Sequence, residues 1–276
     1  MGESQEVVRK AFVALSLALI LPVVAASCSG KSSPVGEKAS SPAEDAGTCS
    51  TSYSPISPGR SWTYDQGGDR QTIVIDGVQG GSASTTTMTT KSRSGSPKNE
   101  PGYIVCTSKG QVALPTNWSG PTTISDCQPV TFTPQGLAQI TARFCGASIP
   151  TDLGAGSRWT YSSTIHEDAQ GVASGYDSNY QAKCEAQQGM SRIQLPAGAY
   201  SALEVTCWHR LVFAPVNEGG PSSISSAAQR KLAGTGILAP HTWTSIAWYA
   251  SGVGLIKAKH QTLASTGEQV LVASKP

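Results

Sequence analysis

The residues that could carry chemistry in this chain are four histidines and seven cysteines. His166, His209, His241 and His260 are scattered, and none opens a recognisable catalytic motif. His166-Glu167 is followed by Gln170, where a zinc-protease helix needs its second histidine. No Gly-x-Ser-x-Gly elbow, Ser-x-x-Lys pair or glycine-rich phosphate loop is present. His166 with Glu167 and Asp168 reads as an ordinary acidic surface cluster, because a metal site needs more converging ligands. The sequence therefore assigns no catalytic residue, no metal ligand and no cofactor. A hydrolase assembled from distant residues would draw on His209 or His241, next to the long loop from Ala214 to His241.

Cys28 stands apart from the other cysteines by what precedes it. Arg9 and Lys10 lead an apolar run from Ala11 to Ala26 that ends in Ala25-Ala26-Ser27-Cys28. The run is shorter than the roughly 20 residues of a spanning helix, and Pro22 interrupts it. The segment resembles a bacterial lipoprotein signal peptide closing in a lipobox, with Ala25 where that family prefers Leu. The resemblance implies removal of residues 1–27 and a diacylglyceryl group on the Cys28 thiol. The mature protein is then expected on the extracytoplasmic face of the cell membrane, or on the outer membrane of a two-membrane bacterium. Several acyl chains, at about 0.8 kcal/mol per buried methylene, make such an anchor firm.

Six cysteines remain: Cys49, Cys106, Cys127, Cys145, Cys184 and Cys207. An even number in an exported chain suggests three disulfides. Cys184 with Cys207 is the favoured pair, since both fall in strand candidates of one region. Cys127 with Cys145 is second, which leaves Cys49 with Cys106. No Cys-x-x-Cys pair supports a zinc site.

The elements that must position these groups are strands. Only 14% of residues are charged, and a net charge of +2 without a basic stripe argues against nucleic acid as a partner. Gly, Ser, Thr and Pro are abundant and long amphipathic helical stretches are lacking, so the fold class is mostly β with little helix. Residues 28–51 have no apolar periodicity and read as a flexible tether with a reach of about 25 to 30 Å.

The segment Gly156-Ser157-Arg158-Trp159-Thr160-Tyr161 repeats Gly59-Arg60-Ser61-Trp62-Thr63-Tyr64 at a distance of 97 positions. Each copy predicts a strand with Trp and Tyr on one face and Thr on the other. Two related β halves, 52–149 and 150–276, follow from this repeat. In the first, strands are expected at Trp62–Tyr64, Thr72–Ile75, Ser84–Thr90, Tyr103–Cys106, Gln111–Leu114 and Gln139–Phe144. Asp76-Gly77 is read as a hairpin turn, Ser92–Pro101 as a loop and Pro115–Pro134 as irregular. In the second, strands are expected at Trp159–His166, Tyr176–Ala186, Met190–Leu195, Tyr200–Phe213, Thr242–Tyr249, Val253–His260 and Val270–Val272. The loop Ala214–His241 is read with one helical turn at Ala227–Leu232.

Trp159, the turn Pro196-Ala197-Gly198 and the run Trp248-Tyr249-Ala250-Ser251-Gly252-Val253-Gly254-Leu255-Ile256-Lys257 resemble a group of bacterial secreted or lipid-anchored β proteins with Pro-Gly-x-x-Trp-x-Tyr and Trp-Tyr-x-x-Gly-Val-Gly motifs. The resemblance covers residues 150–272 and implies curved antiparallel sheets, in a half-barrel or sandwich-like arrangement. Trp62, Tyr64, Trp159, Tyr161, Trp248, Tyr249, Gly252 and Gly254 are read as packing and corner residues rather than ligand contacts. The resulting expectation is a non-enzymatic, lipid-anchored envelope protein that binds a lipid, another apolar ligand or an envelope-protein partner. A structural surface protein and an envelope hydrolase are the alternatives.

Overall fold

Alternation between apolar and polar residues, with turn residues between the runs, carries most of the chain into strands. The computed structural model describes residues 50–90, 98–114, 120, 123–132, 140–167, 176–215, 240–262 and 266–276. The expected signal peptide, Cys28, nearly all of the expected tether, Cys49 and the helical turn expected at 227–232 lie outside the described residues. In chain order the strands are β1 (Ser61–Gln66), β2 (Asp69–Gln79), β3 (Ser82–Thr90), β4 (Lys98–Thr107), β5 (Gly110–Leu114), β6 (Thr123–Ile124), β7 (Pro129–Phe132), β8 (Ile140–Gly146), β9 (Ile149–Pro150), β10 (Arg158–Glu167), β11 (Tyr176–Leu195), β12 (Gly198–Pro215), β13 (His241–Ala250), β14 (Gly254–Gln261) and β15 (Thr266–Lys275). No helix occurs among the described residues.

All fifteen strands belong to one sheet, in the order β7-β8-β10-β11-β12-β13-β14-β15-β1-β2-β3-β4-β5-β9, with β6 attached to β4. Every pairing is antiparallel except that of β4 with β6. Both Trp-x-Tyr segments open a run of consecutive antiparallel strands, β1 to β5 and β10 to β15. The last strand of the chain, β15, pairs with β1, and β8 pairs with β10, so strands from both parts of the sequence share one hydrogen-bonded surface. The chain leaves β8 and reaches β9, which pairs with β5, within a few residues; the Ser148 amide donates to the Gln111 carbonyl at 2.9 Å. One short segment therefore stitches the two ends of the strand path together. Gly146 makes the corner: its φ is +78°, and a Cβ there would collide with the Thr160 carbonyl oxygen.

Two apolar clusters fill the interior. One gathers Val105, Val112, Phe144, Tyr161, Tyr180, Leu203, Val205, Leu211 and Trp243, and the other gathers Ile56, Trp62, Tyr64, Ile75, Leu195, Ala202, Trp248, Ile256 and Leu271. The long hairpin of β11 and β12 spans both, because its base lies in the first cluster and its tip, with Leu195 and Ala202, lies in the second.

Four local expectations are corrected. Asp76-Gly77 is not a turn but sits in β2, where the register against β3 shifts between Ile75 and Gly77. The turn falls instead at Gly80-Gly81, with φ of +56° and +79°, because two successive left-handed residues suit glycine pairs best. The segments Tyr176–Ala186 and Met190–Leu195 are one strand with a bulge between Ala186 and Met190. The loop expected at Ser92–Pro101 gives way to β4 from Lys98, and short strands β6 and β7 occupy the region expected to be irregular.

The first Trp-x-Tyr segment docks onto the turn that follows β13. The Trp62 indole N–H donates to the Val253 carbonyl at 2.6 Å, the Tyr64 hydroxyl donates to the Leu255 carbonyl at 2.9 Å, and the Arg60 guanidinium donates to the Gly252 carbonyl. Burial raises the Tyr64 phenol well above its ordinary pKa, so it stays a neutral donor. Tyr64→Phe, which deletes one buried hydrogen bond and leaves the ring in place, should lower stability by about 1–2 kcal/mol in urea unfolding.

Candidate binding face

The site is built on the base of the β11–β12 hairpin, where pairing is direct: Tyr180 faces Leu211, Ala182 faces His209, Lys183 faces Trp208 and Cys184 faces Cys207. Strand geometry sends alternate side chains to opposite faces. Val205, Cys207, His209 and Leu211 of β12 are buried, whereas Trp208 and Arg210 are exposed. β13 continues the pattern with Trp243 and Ser245 buried, and Thr242 and Thr244 turned outward.

On the inner face a disulfide joins Cys184 to Cys207 across the hairpin, with their Cα atoms 4.2 Å apart. Beside it, His209 is held at both ring nitrogens: Nδ1 lies 2.7 Å from the Tyr180 hydroxyl and Nε2 lies 2.7 Å from the Ser245 hydroxyl. The imidazole stacks on the Trp243 ring at 4.9 Å between centroids and 11° between planes. Tyr161 packs against Tyr180 at 5.7 Å. Burial pushes His209 down to about 4, so the ring is neutral at physiological pH, and burial also raises the Tyr180 phenol.

A serine within reach of a histidine invites comparison with a hydrolase. The chemistry of this arrangement is weak. An imidazole of pKa about 4 is a poor base for a serine hydroxyl. The group on its far nitrogen is a neutral phenol, which cannot stabilise an imidazolium as a carboxylate does. His209 and Ser245 are both buried, at 3% and 6% exposure. What the trio does well is tie β11, β12 and β13 together in one register.

On the outer face, Trp208 is 50% exposed although the residues beside it are polar. It stands in a row formed by direct cross-strand partners, Lys183 on β11, Trp208 on β12, Thr244 on β13 and Gln261 on β14. Arg210 and Thr242 form part of the next row. These side chains line a concavity of about 720 Å³. A second concavity of about 290 Å³ shares Thr244 and Gln261 with it and continues over Lys259, His260, Gly267 and Glu268. The two form one groove along the outer surface of β11 to β15.

The motif residues singled out from the sequence lie elsewhere. Trp62, Tyr64 and Trp248 are core residues, and the Trp248 indole N–H donates to Glu204 at 2.9 Å. Tyr161 is buried and Trp159 is half-buried. Burial pushes the Tyr249 phenol up to about 12. Gly252 and Gly254 hold the corner after β13 with φ of +74° and +101°, and Gly254 lies near Pro55 and the Trp62 ring. Cys127 is bonded to Cys145, and Cys106 is disulfide-bonded as well, while its expected partner Cys49 lies outside the described residues. His166 pairs with Asp177 across β10 and β11 at 2.9 Å. Disulfides persist in oxidising compartments, which fits an extracytoplasmic location. The sequence reading missed Trp208, although its position in the polar phase of β12, between Thr206 and Arg210, marks it as an aromatic on the wrong face for packing.

No protein-family model matches the chain, and no curated protein does. Two solved structures are similar to it in fold. One is a candidate lipoprotein from Parabacteroides distasonis, with a TM-score of 0.40 and 12% identity, covering 83% of this chain and 100% of that one. The other is a candidate exported protein with a YmcC-like fold from Bacteroides fragilis, with a TM-score of 0.36 and 9% identity and the same coverage of 83% and 100%.

Because His209 binds its proton less readily folded than unfolded, its effect appears only on acidification. Above pH 6.5 the ring is neutral in both states and contributes no pH dependence. Between pH 6.5 and about 4 the unfolded chain takes up a proton that the folded one refuses, and stability should fall by about 3 kcal/mol. His260, also lowered by burial, acts in the same sense. Urea unfolding at stepped pH should therefore show a shallower slope in His209→Gln than in the wild type, with a residual slope from His260.

Proposed function

We propose that this protein is a lipid-anchored, extracytoplasmic binding protein of the cell envelope, non-enzymatic, whose ligand sits on the outer face of β11–β14. The observation that carries the reading is Trp208, a large aromatic side chain left half exposed in a polar concavity while its neighbour His209 is buried. Exposed indole surface remains in contact with water at a cost in free energy, and Trp is among the residues enriched where a protein surface meets a partner, because it offers a large apolar face with a polar handle. The interior behind this face is taken up by Tyr161, Tyr180, His209 and Trp243, so the proposed ligand surface is the outside of the sheet and not its core.

The lipobox ending in Cys28 supports the anchor, and the disulfides support an oxidising compartment. The repeated Trp-x-Tyr strands, each opening a meander, support a scaffold of two related halves. The non-enzymatic reading is supported by the low basicity of His209 and by the neutral phenol where a triad would place a carboxylate.

Two measurements test this. Mature protein taken from its native membrane should carry lipid mass that Cys28→Ala lacks; wild-type protein free of lipid and released to the medium would contradict the anchor. Purified protein incubated with fractionated envelope glycans and lipids should retain a ligand detectable by native mass spectrometry. That ligand should be recovered from the wild type with unchanged mass and should be lost in Trp208→Ala. Equal retention by Trp208→Ala, or recovery of a chemically altered ligand, would contradict the binding reading.

A further inference from the structure

We infer that the groove over β11–β15 binds an acidic oligosaccharide, with one sugar ring stacked on Trp208 and its acid group held by Lys183 and Arg210. The inference rests on the reading of the Trp208 face as the binding surface and adds the class of ligand.

Three features of the groove carry it. The first is shape. The two concavities share Thr244 and Gln261 and run across five neighbouring strands, from Lys183 on β11 to Glu268 on β15. At the usual strand spacing of about 4.8 Å, that path is about 19 Å long, which suits an oligomer better than a single small molecule.

The second is the kind of contact offered. An indole face accepts the C–H face of a sugar ring, which is apolar enough to stack while its edge remains hydroxylated. Hydroxyls and amides that could meet that edge lie in the rows around Trp208: Thr244 directly opposite on β13, Thr242 beside it, and Gln261 one strand further on. A purely apolar ligand would leave these groups without partners, at a cost for each one buried.

The third is charge. Lys183 lies directly across from Trp208, and Arg210 lies two residues along the same strand, on the same face. Among the described residues no acidic side chain lines this concavity, and neither cation has an acidic partner. The far end of the groove is different: Lys257 and Lys259 are both paired with Glu268, at 3.0 and 3.1 Å. Among the described residues, unpaired positive charge is thus concentrated around Trp208, and the surface beyond it is mainly apolar with its charges paired. That order fits an acidic residue at one end of the bound segment and uncharged sugar further along.

The test is calorimetric titration of the intact mature protein with hexagalacturonate, alongside maltohexaose, phosphatidylglycerol vesicles and a thymidine oligonucleotide. Hexagalacturonate should bind, more tightly than the other three. Trp208→Ala should weaken binding about 10-fold or more, as loss of one aromatic stacking platform does, and Trp208→Phe should restore most of it. The double variant Lys183→Gln with Arg210→Gln should weaken binding by a similar factor and remove most of its salt dependence. All three variants alter exposed side chains, and unchanged thermal unfolding confirms their fold. Equal binding of maltohexaose that ignores the double variant would overturn the acidic class and leave the Trp208 platform standing. Tighter binding of vesicles or oligonucleotide, lost in Trp208→Ala, would likewise replace the ligand class. Hexagalacturonate binding that survives Trp208→Ala would overturn the inference and the binding face together. No binding of hexagalacturonate at millimolar concentration would overturn the inference.

Discussion

The register of β11 against β12 is the constraint on which the rest of the candidate site depends. A strand presents its side chains with a period of two, so a slip of one residue would put Trp208 in the core and His209 at the surface. Three interactions oppose that slip on the inner face. The Cys184–Cys207 bond fixes one pair of opposite residues. The hydrogen bonds that His209 shares with the Tyr180 and Ser245 hydroxyls fix three strands at once, and the stacked Trp243 fills the space beside them. In the chain-entropy model a disulfide closing a loop of this length contributes about 3 kcal/mol. The inner face is therefore an alignment device, and its product is the outer row of Lys183, Trp208, Thr244 and Gln261.

Alignment at one hairpin would achieve little if the surrounding sheet were loose. Two features hold it. The short segment from β8 to β9 joins strands at opposite ends of the path, so the sheet lacks a free edge at β5 along that contact. In addition, Arg60, Trp62 and Tyr64 bond to the carbonyls of Gly252, Val253 and Leu255, and this clamps the start of β1 to the corner between β13 and β14. The aromatic motifs thus act as fasteners between distant parts of the chain. They secure the strands that carry the groove without entering it.

Much of this fold is legible in the residues. Alternation locates most strands of the second part to within a few positions, since Tyr200–Phe213 and Thr242–Tyr249 each keep a clear two-residue period. The pairing of Cys184 with Cys207 follows from their places in neighbouring strand candidates. Asp76-Gly77 misleads because a local turn preference competes with a stronger one, Gly80-Gly81, a few residues later. The trio of Tyr180, His209 and Ser245 cannot be read from spacing, because its members lie 29 and 36 positions apart and meet only through strand pairing. Trp208 was legible in principle. It breaks the pattern of its own strand, as an aromatic residue in the polar phase between Thr206 and Arg210.

The measurement that tests the central claim most directly is oxidative footprinting of the indoles in the intact, unreduced protein, read by peptide mass spectrometry. With the register described here, Trp208 is modified first, while the buried Trp62, Trp243 and Trp248 stay protected until the fold is lost. Early modification of Trp243 together with protection of Trp208 would mean that the opposite faces of these strands point outward, and the account of the groove would be wrong.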